Sequence, residues 1–312
     1  MFDEQGNLLE TLWEEPGGVM TLEQFTSPTV DETIILATYK FYSPNDSANA
    51  KIVYYTRNKD GGWDCNVLCD LPFVHRFGIL SRGGNNYLVA CTLKSAHAFK
   101  NDWTCPGRVW VAKLPEDIRQ FNEENQLTLT PLLSGLYRNH GFEKIVTEEE
   151  VFCLVGTDNG VYQITPPEKE GDDWETKQLL DIPVSDILYE DFDGDGIREL
   201  LVFRPFHGEH LEIYRLLDEK FTCVWKFAEP LPFLHAIYAA KFHGKPFAFV
   251  GNREGKKELM AIYYDEVKKD YCFEVIDKGA GPANVLYFES ENEPKLLAAN
   301  RETDEIAIYE LT

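Results

Sequence analysis

Only seven histidines occur among the 312 residues, at positions 75, 97, 140, 207, 210, 235 and 243. Two of them end the same short string, Leu71-Pro72-Phe73-Val74-His75 and Leu231-Pro232-Phe233-Leu234-His235. Neutral imidazoles converging on one point hold a first-row transition ion and leave a coordination position for water or substrate. Such an ion acidifies a bound water or polarises a carbonyl, which is what lyase and hydrolase chemistry asks of a protein. His75, His140 and His235 are therefore the expected ligands of Zn2+ or Mn2+, with His207 and His210 as the candidate acid–base groups. The plainer alternative is that these rings satisfy hydrogen bonds of a channel, or that one of them acts alone as a base.

A second constellation is Asp191-Phe192-Asp193-Gly194-Asp195-Gly196-Ile197-Arg198-Glu199. Ca2+ takes several oxygen ligands, and alternate carboxylates in a tight loop aim at one centre. Gly194 and Gly196 permit the positive backbone angles of such a turn. Asp191, Asp193, Asp195 and Glu199 are the expected calcium ligands; the alternative is a solvated acidic turn. The spacing begins like an EF-hand loop, but position 12 is Phe203 and a strand-like run, Leu200 to Phe203, follows at once.

The third set is basic. Arg204, Arg253 and Arg301 each follow an apolar run, and Asn252-Arg253-Glu254 is repeated as Asn300-Arg301-Glu302. Guanidinium forks bind carboxylates and sugar hydroxyls well. Together with Asn252 and Asn300 they form an expected substrate-binding set, joined by Lys40 and Lys94 and by Tyr39, Trp103 and Phe206 as stacking faces. The competing reading is that each Arg pairs with a neighbouring Glu. Asp158, Asp186, Glu209 and Glu254 could serve a carboxylate-pair glycosidase, but no spacing singles out two of them.

The elements that must carry these residues are strands. Helical periodicity is confined to Leu114 to Asn122, where a Pro and acidic residues suit a first turn. Elsewhere short β-branched and aromatic runs are cut by Gly, Asn, Asp and Pro. Six apolar runs (starting at Leu36, Val89, Leu154, Leu201, Phe249 and Leu297) are each followed by a second run (Ile52, Val109, Val161, Leu211, Ala261 and Ile306). A pattern recurring about every 45 to 65 residues predicts an all-β, six-bladed β-propeller of four-stranded antiparallel blades. The blades fall at about 19–72, 73–135, 136–183, 184–230, 231–281 and 282–312 plus 1–14. The last has only three strands of its own, so Asn7 to Trp13 is expected to supply the fourth and close one single domain. Lys94 to Gly107 reads as an insertion. In this alignment His75, His140 and His235 start equivalent inner strands, and His97, His207 and His210 fall in loops of the same face; His243 lies opposite.

At its DxDxDG loop the chain resembles the FG-GAP or VCBS-type repeats of integrin-like propellers, over about a dozen residues and in one blade of six. That resemblance implies a structural Ca2+ fastening one hairpin. Propellers of this kind that handle sugars, such as aldos-2-ulose dehydratases and some polysaccharide lyases, use channel-mouth histidines, which adds an expectation of architecture.

Composition bounds the partners. With 53 Asp and Glu against 30 Lys and Arg the formal charge is −23, which repels nucleic acid and anionic membranes. No leader-like start and no run approaching a transmembrane span is visible, and seven scattered cysteines are unlike a disulfide framework, so a cytoplasmic protein is expected. No GxSxG, P-loop, GxGxxG or paired CxxC occurs. The expected function is a carbohydrate-active enzyme, a metal-assisted lyase, dehydratase or isomerase acting on a sugar or uronic acid. The alternative is a non-catalytic, calcium-stabilised propeller that binds a protein or glycan partner.

Overall fold

A computed structural model describes residues 1–26, 32–290 and 293–311. The first sheet holds β1 (Leu22–Thr26), β2 (Thr33–Tyr39), β3 (Lys51–Arg57) and β4 (Trp63–Asp70); the second holds β5 (Val74–Arg82), β6 (Asn85–Lys94), β7 (Pro106–Leu114) and β8 (Thr130–Leu136). The third is built from β9 (Gly141–Val146), β10 (Val151–Thr157), β11 (Gly160–Thr165) and β12 (Glu175–Leu180). The fourth takes β13 (Asp186–Glu190), β14 (Glu199–Arg204), β15 (His210–Leu217) and β16 (Lys220–Lys226). The fifth takes β17 (Leu234–Phe242), β18 (Lys245–Asn252), β19 (Leu259–Asp265) and β20 (Asp270–Asp277). The sixth has three strands, β21 (Pro282–Ser290), β22 (Glu293–Asn300) and β23 (Glu305–Glu310). Each sheet is an antiparallel meander in chain order, and together they are the six blades of a β-propeller. All twelve apolar runs read from the sequence lie in strands.

The chain divides into two compact units, Met1–Gln178 and Leu179–Thr312. Within each, the core lies between successive blades. In the first unit Leu80, Val89, Cys91, Val109 and Val111 of the second blade meet Cys153, Val155 and Ile164 of the third. In the second unit Leu201, Phe203 and Ile213 of the fourth blade meet Val250, Met260 and Ile262 of the fifth. These middle strands are covered on both faces, so they read as continuous apolar runs, and each fully buried aliphatic side chain contributes about 1.5–3 kcal/mol.

Two expected elements differ. Residues 7–13 form no strand. Leu8 makes only an isolated bridge to Phe2, Leu12 and Trp13 pack on Ala37, Val53 and Tyr55 of the first blade, and Glu10 pairs with Arg57. The Trp13 ring stacking on Tyr55 at 5.3 Å fixes this course, and the sixth blade keeps three strands. The segment Leu114 to Asn122 is not an α-helix but ends β7 and then makes one 3-10 turn, Ile118–Gln120. Asp117 caps that turn by accepting from the Arg119 amide, and a run this short between strands cannot nucleate a longer helix.

The repeated Leu-Pro-Phe-x-His string has one backbone form in both copies. Phe73 and Phe233 hold left-handed angles, φ 64° and 59°. The Leu93 amide donates to the Phe73 carbonyl at 3.1 Å, and the Arg253 amide to that of Phe233 at 2.9 Å. Immediately afterwards the strand register slips, from Val74 to Arg76 and from Leu234 to Ala236. His75 and His235 are therefore the extra residues of β-bulges, a device that re-aims a side chain out of the ladder. The sixth blade repeats the slip at Ala283, between Pro282 and Asn284.

Candidate functional site

In the second unit the bulge brings His235 to His207, ring centroids 5.4 Å apart. His207 tips the turn between β14 and β15 at φ 48°, its amide donating to Ser185 Oγ at 3.3 Å. The turn needs Gly208, because a Cβ there would lie 2.3 Å from the Arg204 carbonyl oxygen. The His207 ring stacks on Phe206 at 4.0 Å and lies 4.5 Å from Phe233. His235 Nδ1 is 2.7 Å from the carbonyl oxygen of Ala283, the bulge residue of the next blade. A carbonyl only accepts, so the ring proton is assigned to Nδ1 and Nε2 carries the lone pair.

An imidazole nitrogen about 2.1 Å from a metal sets its ring centre about 3.2 Å away, and two such rings at a tetrahedral angle lie about 5.2 Å apart. The 5.4 Å of His207 and His235 fits that demand. In the first unit His75 and His140 also meet, but differently: their rings stack at 4.3 Å with 29° between planes. Lone pairs lie in the ring planes, so those of stacked rings run side by side instead of converging. Both rings are buried, and the edge of Phe41 closes on His75 at 5.0 Å. Of the expected set His75, His140 and His235, the first two are stacked on each other in the first unit, and His235 lies beside His207, expected as the base, in the second. His210 begins β15 opposite Arg204 and is exposed. His97 packs edge-on against Phe73, and His243 tips the turn between β17 and β18.

The arginines turn out to be paired. Arg204 Nη1 donates to Glu212 Oε2 at 2.7 Å and to the Tyr214 hydroxyl at 3.1 Å. Tyr214 also donates to Glu212, and Lys226 sits 3.1 Å from its other oxygen. Burial pushes the Glu212 carboxyl up, but bonds from Tyr214, Arg204 and Lys226 outweigh it and hold the group below its ordinary range. Arg253 and Arg301 share one carboxylate, Glu302 Oε1, at 2.9 and 3.3 Å. Arg253 also covers the Phe233 ring at 4.4 Å. Asn252 and Asn300, both expected to bind substrate, brace their neighbours. The Asn252 amide donates to the carbonyls of Pro232 and Glu254 and its oxygen accepts from the Glu258 amide; Asn300 donates to the Tyr309 hydroxyl at 2.9 Å. Both are buried, and among the described residues the Asn300 Oδ1 has no hydrogen-bond partner.

Of the three stacking faces, Trp103 is occupied, with Lys94 at 4.3 Å and Arg138 at 5.2 Å from its ring. Lys94 itself is fully buried and donates to Asn45 Oδ1 and the Asp102 carbonyl. Tyr39 lies under Lys40.

In the acidic loop, Asp191, Asp193 and Asp195 each offer an oxygen within 4.8 Å of the others. Asp191 accepts the amides of Gly194, Asp195 and Gly196, which shapes the turn. Glu199 is fully buried; burial first, then the nearby aspartates, push its carboxyl up to about 7. Among the described residues its Oε1 has no hydrogen-bond partner. An all-oxygen donor set with an orphaned buried carboxylate oxygen fits Ca2+. Sequence reasoning missed Arg215, which pairs with Asp193 and Asp195 and stands 4.0 Å from Glu199. It comes from β15, sixteen or more residues away in sequence from each of these carboxylates, and nothing local marks it.

No family model matches the chain, and no curated protein matches it. Among solved structures it is similar to a candidate 6-phosphogluconolactonase from Bacteroides uniformis, at 11% identity and TM-score 0.54 over 89% of this chain and 78% of that one. A second candidate 6-phosphogluconolactonase, from Bacteroides fragilis, gives 11% identity and TM-score 0.55 over 89% and 77%. The AofleA protein of Arthrobotrys oligospora, solved as a triple arginine-to-alanine mutant, gives 10% and 0.50 over 99% and 88%. At such identities the likeness shows the propeller fold alone.

Proposed function

We propose that this propeller is a carbohydrate-active protein whose reactive centre includes His207 and His235. The observation that carries the reading is the bulge-aimed His235, its Nδ1 engaged by the Ala283 carbonyl and its ring beside His207. These two histidines would hold Zn2+ or Mn2+, which when bound supplies Lewis-acid polarisation for a lyase, dehydratase or isomerase step. Phe206 and Phe233 offer apolar faces to the C–H side of a sugar or uronic acid. Arg253, held by Glu302, and Arg204, held by Glu212, present their remaining N–H donors to its carboxylate or hydroxyls. His210, exposed on β15, is the proton carrier in this reading. The sugar-acid chemistry in the names of the two Bacteroides neighbours supports the substrate class. Seven free cysteines support a reducing, cytoplasmic setting.

Elemental analysis of the purified protein, with a panel of uronates and sugar lactones as substrates, tests this. A transition metal lost in His235→Ala and His207→Ala, together with any turnover, is the expected result. Calcium alone, unaffected by either variant, overturns it.

The acidic loop favours a second reading, a calcium-stabilised FG-GAP/VCBS-type propeller that binds a protein or glycan without chemistry. Asp191, Asp193, Asp195 and Glu199 would hold the ion, displacing Arg215 from them. A rise in Tm with Ca2+ that Asp193→Asn abolishes, without turnover of any sugar, would select it.

A further inference from the structure

The first blade carries a pocket that the proposed chemistry at His207 and His235 does not use. It has a volume of about 350 Å³, with Lys40, Asn49, Lys51 and Asp70 on its polar walls and Ala50 and Pro72 among its apolar ones. That is room for a molecule of monosaccharide size. In a chain of net charge −23, two of the four polar side chains here are ammonium groups.

Asp70 does not cancel both. Its Oδ1 is 3.0 Å from Lys51 Nζ, and its Oδ2 accepts from Gln126 Nε2 at 3.1 Å. The carboxylate is thereby turned toward Lys51 and Gln126, whose bonds hold it below the usual range. Among the described residues Lys40 has no carboxylate at ion-pair distance; its ammonium lies 5.5 Å from the centre of the Tyr39 ring. The Lys40 backbone is left-handed, φ 61°, fastened by its amide donating to the Gly17 carbonyl at 2.6 Å. A side chain with a Cβ costs roughly 1 kcal/mol in that conformation, which glycine would relieve. Lysine therefore stands at a strained position on the wall of a cavity, with no carboxylate of the described residues at ion-pair distance, and strained residues of this kind cluster at ligand clamps.

We infer that the pocket is a binding site for a small oxyanion, a carboxylate or phosphate group, held by Lys40 and Lys51 with the Asn49 amide as a further donor. Lys40 is the specificity-determining cation, and Lys51, already committed to Asp70, adds field and one shared hydrogen bond. The site shares no residue with the His207–His235 centre and does not depend on the proposed chemistry there.

The test is a titration of the full chain, followed by 1H–15N NMR, with inorganic phosphate in one arm and glucuronate in the other. Lys40→Gly is the informative variant, because glycine suits the left-handed backbone and leaves Tm unchanged or raised. Shifts saturating in at least one arm for the wild type, and weakened about tenfold or more in Lys40→Gly, are expected. Lys245→Ala, far from the pocket in sequence, should leave binding unchanged. Should Lys40→Gly not fold, Lys40→Asn keeps a residue tolerant of the left-handed conformation and removes the same charge. No saturable binding of either anion by the wild type, or equal affinity in the Lys40 variants, overturns the proposal. The arm that saturates identifies which oxyanion the pocket takes.

Discussion

Phe73 and Phe233 stand at the same place in two copies of one string, with the same left-handed backbone and the same bulge after them. Around Phe73 the structure is closed. The ring is 3% exposed, Lys94 lies 5.8 Å from it, and His75 is stacked away against His140. Around Phe233 it is half-open, with Arg253 on the ring and His207 and His235 at its side. The string therefore encodes a way of aiming a histidine, and the neighbours decide whether the aimed ring is closed into core or left half-open. In the first unit the segment between β6 and β7 supplies the cover: its His97 packs edge-on against Phe73, and Lys94, the last residue of β6, donates to its Asp102 carbonyl.

The largest expected contrast is between the two phenylalanines. Phe73→Ala should lower unfolding free energy by about 3–4 kcal/mol, while Phe233→Ala costs about half as much, read by urea denaturation. Equal losses would break the distinction between core and site. The histidines should separate more sharply in kind. His75→Ala is expected to cost about 2 kcal/mol through the cavity left in a buried stack, whereas His235→Ala should cost under about 1 kcal/mol but abolish transition-metal binding.

A smaller effect concerns the lid on the first copy. The Asp102 carboxyl, accepting from the Thr104 hydroxyl, the Ala98 amide and the Thr104 amide, is held down at about 2 against an ordinary 3.8. A group lowered in the folded state stabilises it above its unfolded value and loses that contribution as pH falls through the folded one. Tm should thus drop between about pH 4 and pH 2, and Asp102→Asn should flatten that limb. An unchanged acid limb would show that the insertion is not fastened this way. The smallest expected effect is Glu302→Gln, which unpairs Arg253 and Arg301 at the rim for under about 1 kcal/mol. It should nevertheless alter the salt dependence of any anionic ligand at the second copy.

How far these features were legible depended on the range of the interaction. Strand positions were, because a middle strand buried on both faces must be apolar along its length, and Leu201 to Phe203 or Val89 to Cys91 show it. The clustering of the acidic loop was legible because its carboxylates all lie within nine residues. The left-handed Phe was not: no glycine marks it, and hydrogen bonds from strands that follow hold it. Arg215 was invisible beside the aspartates it pairs with. Asn7 to Trp13 was expected to fill the missing fourth strand of the last blade, but Trp13 stacks on Tyr55 of the first blade.

The amino-acid sequence by itself determined the six blades, the order of their strands, the equivalence of His75 and His235, and the clustering of carboxylates at Asp191 to Glu199. All of these follow from hydrophobic period and short spacing. Only the tertiary structure decided that His75 packs on His140 while His235 meets His207, that Glu302 serves two arginines, and that Lys40 stands over a pocket. Those outcomes depend on which side chains arrive from other blades to desolvate or pair a group, and one chain segment's own pattern carries no record of its distant neighbours.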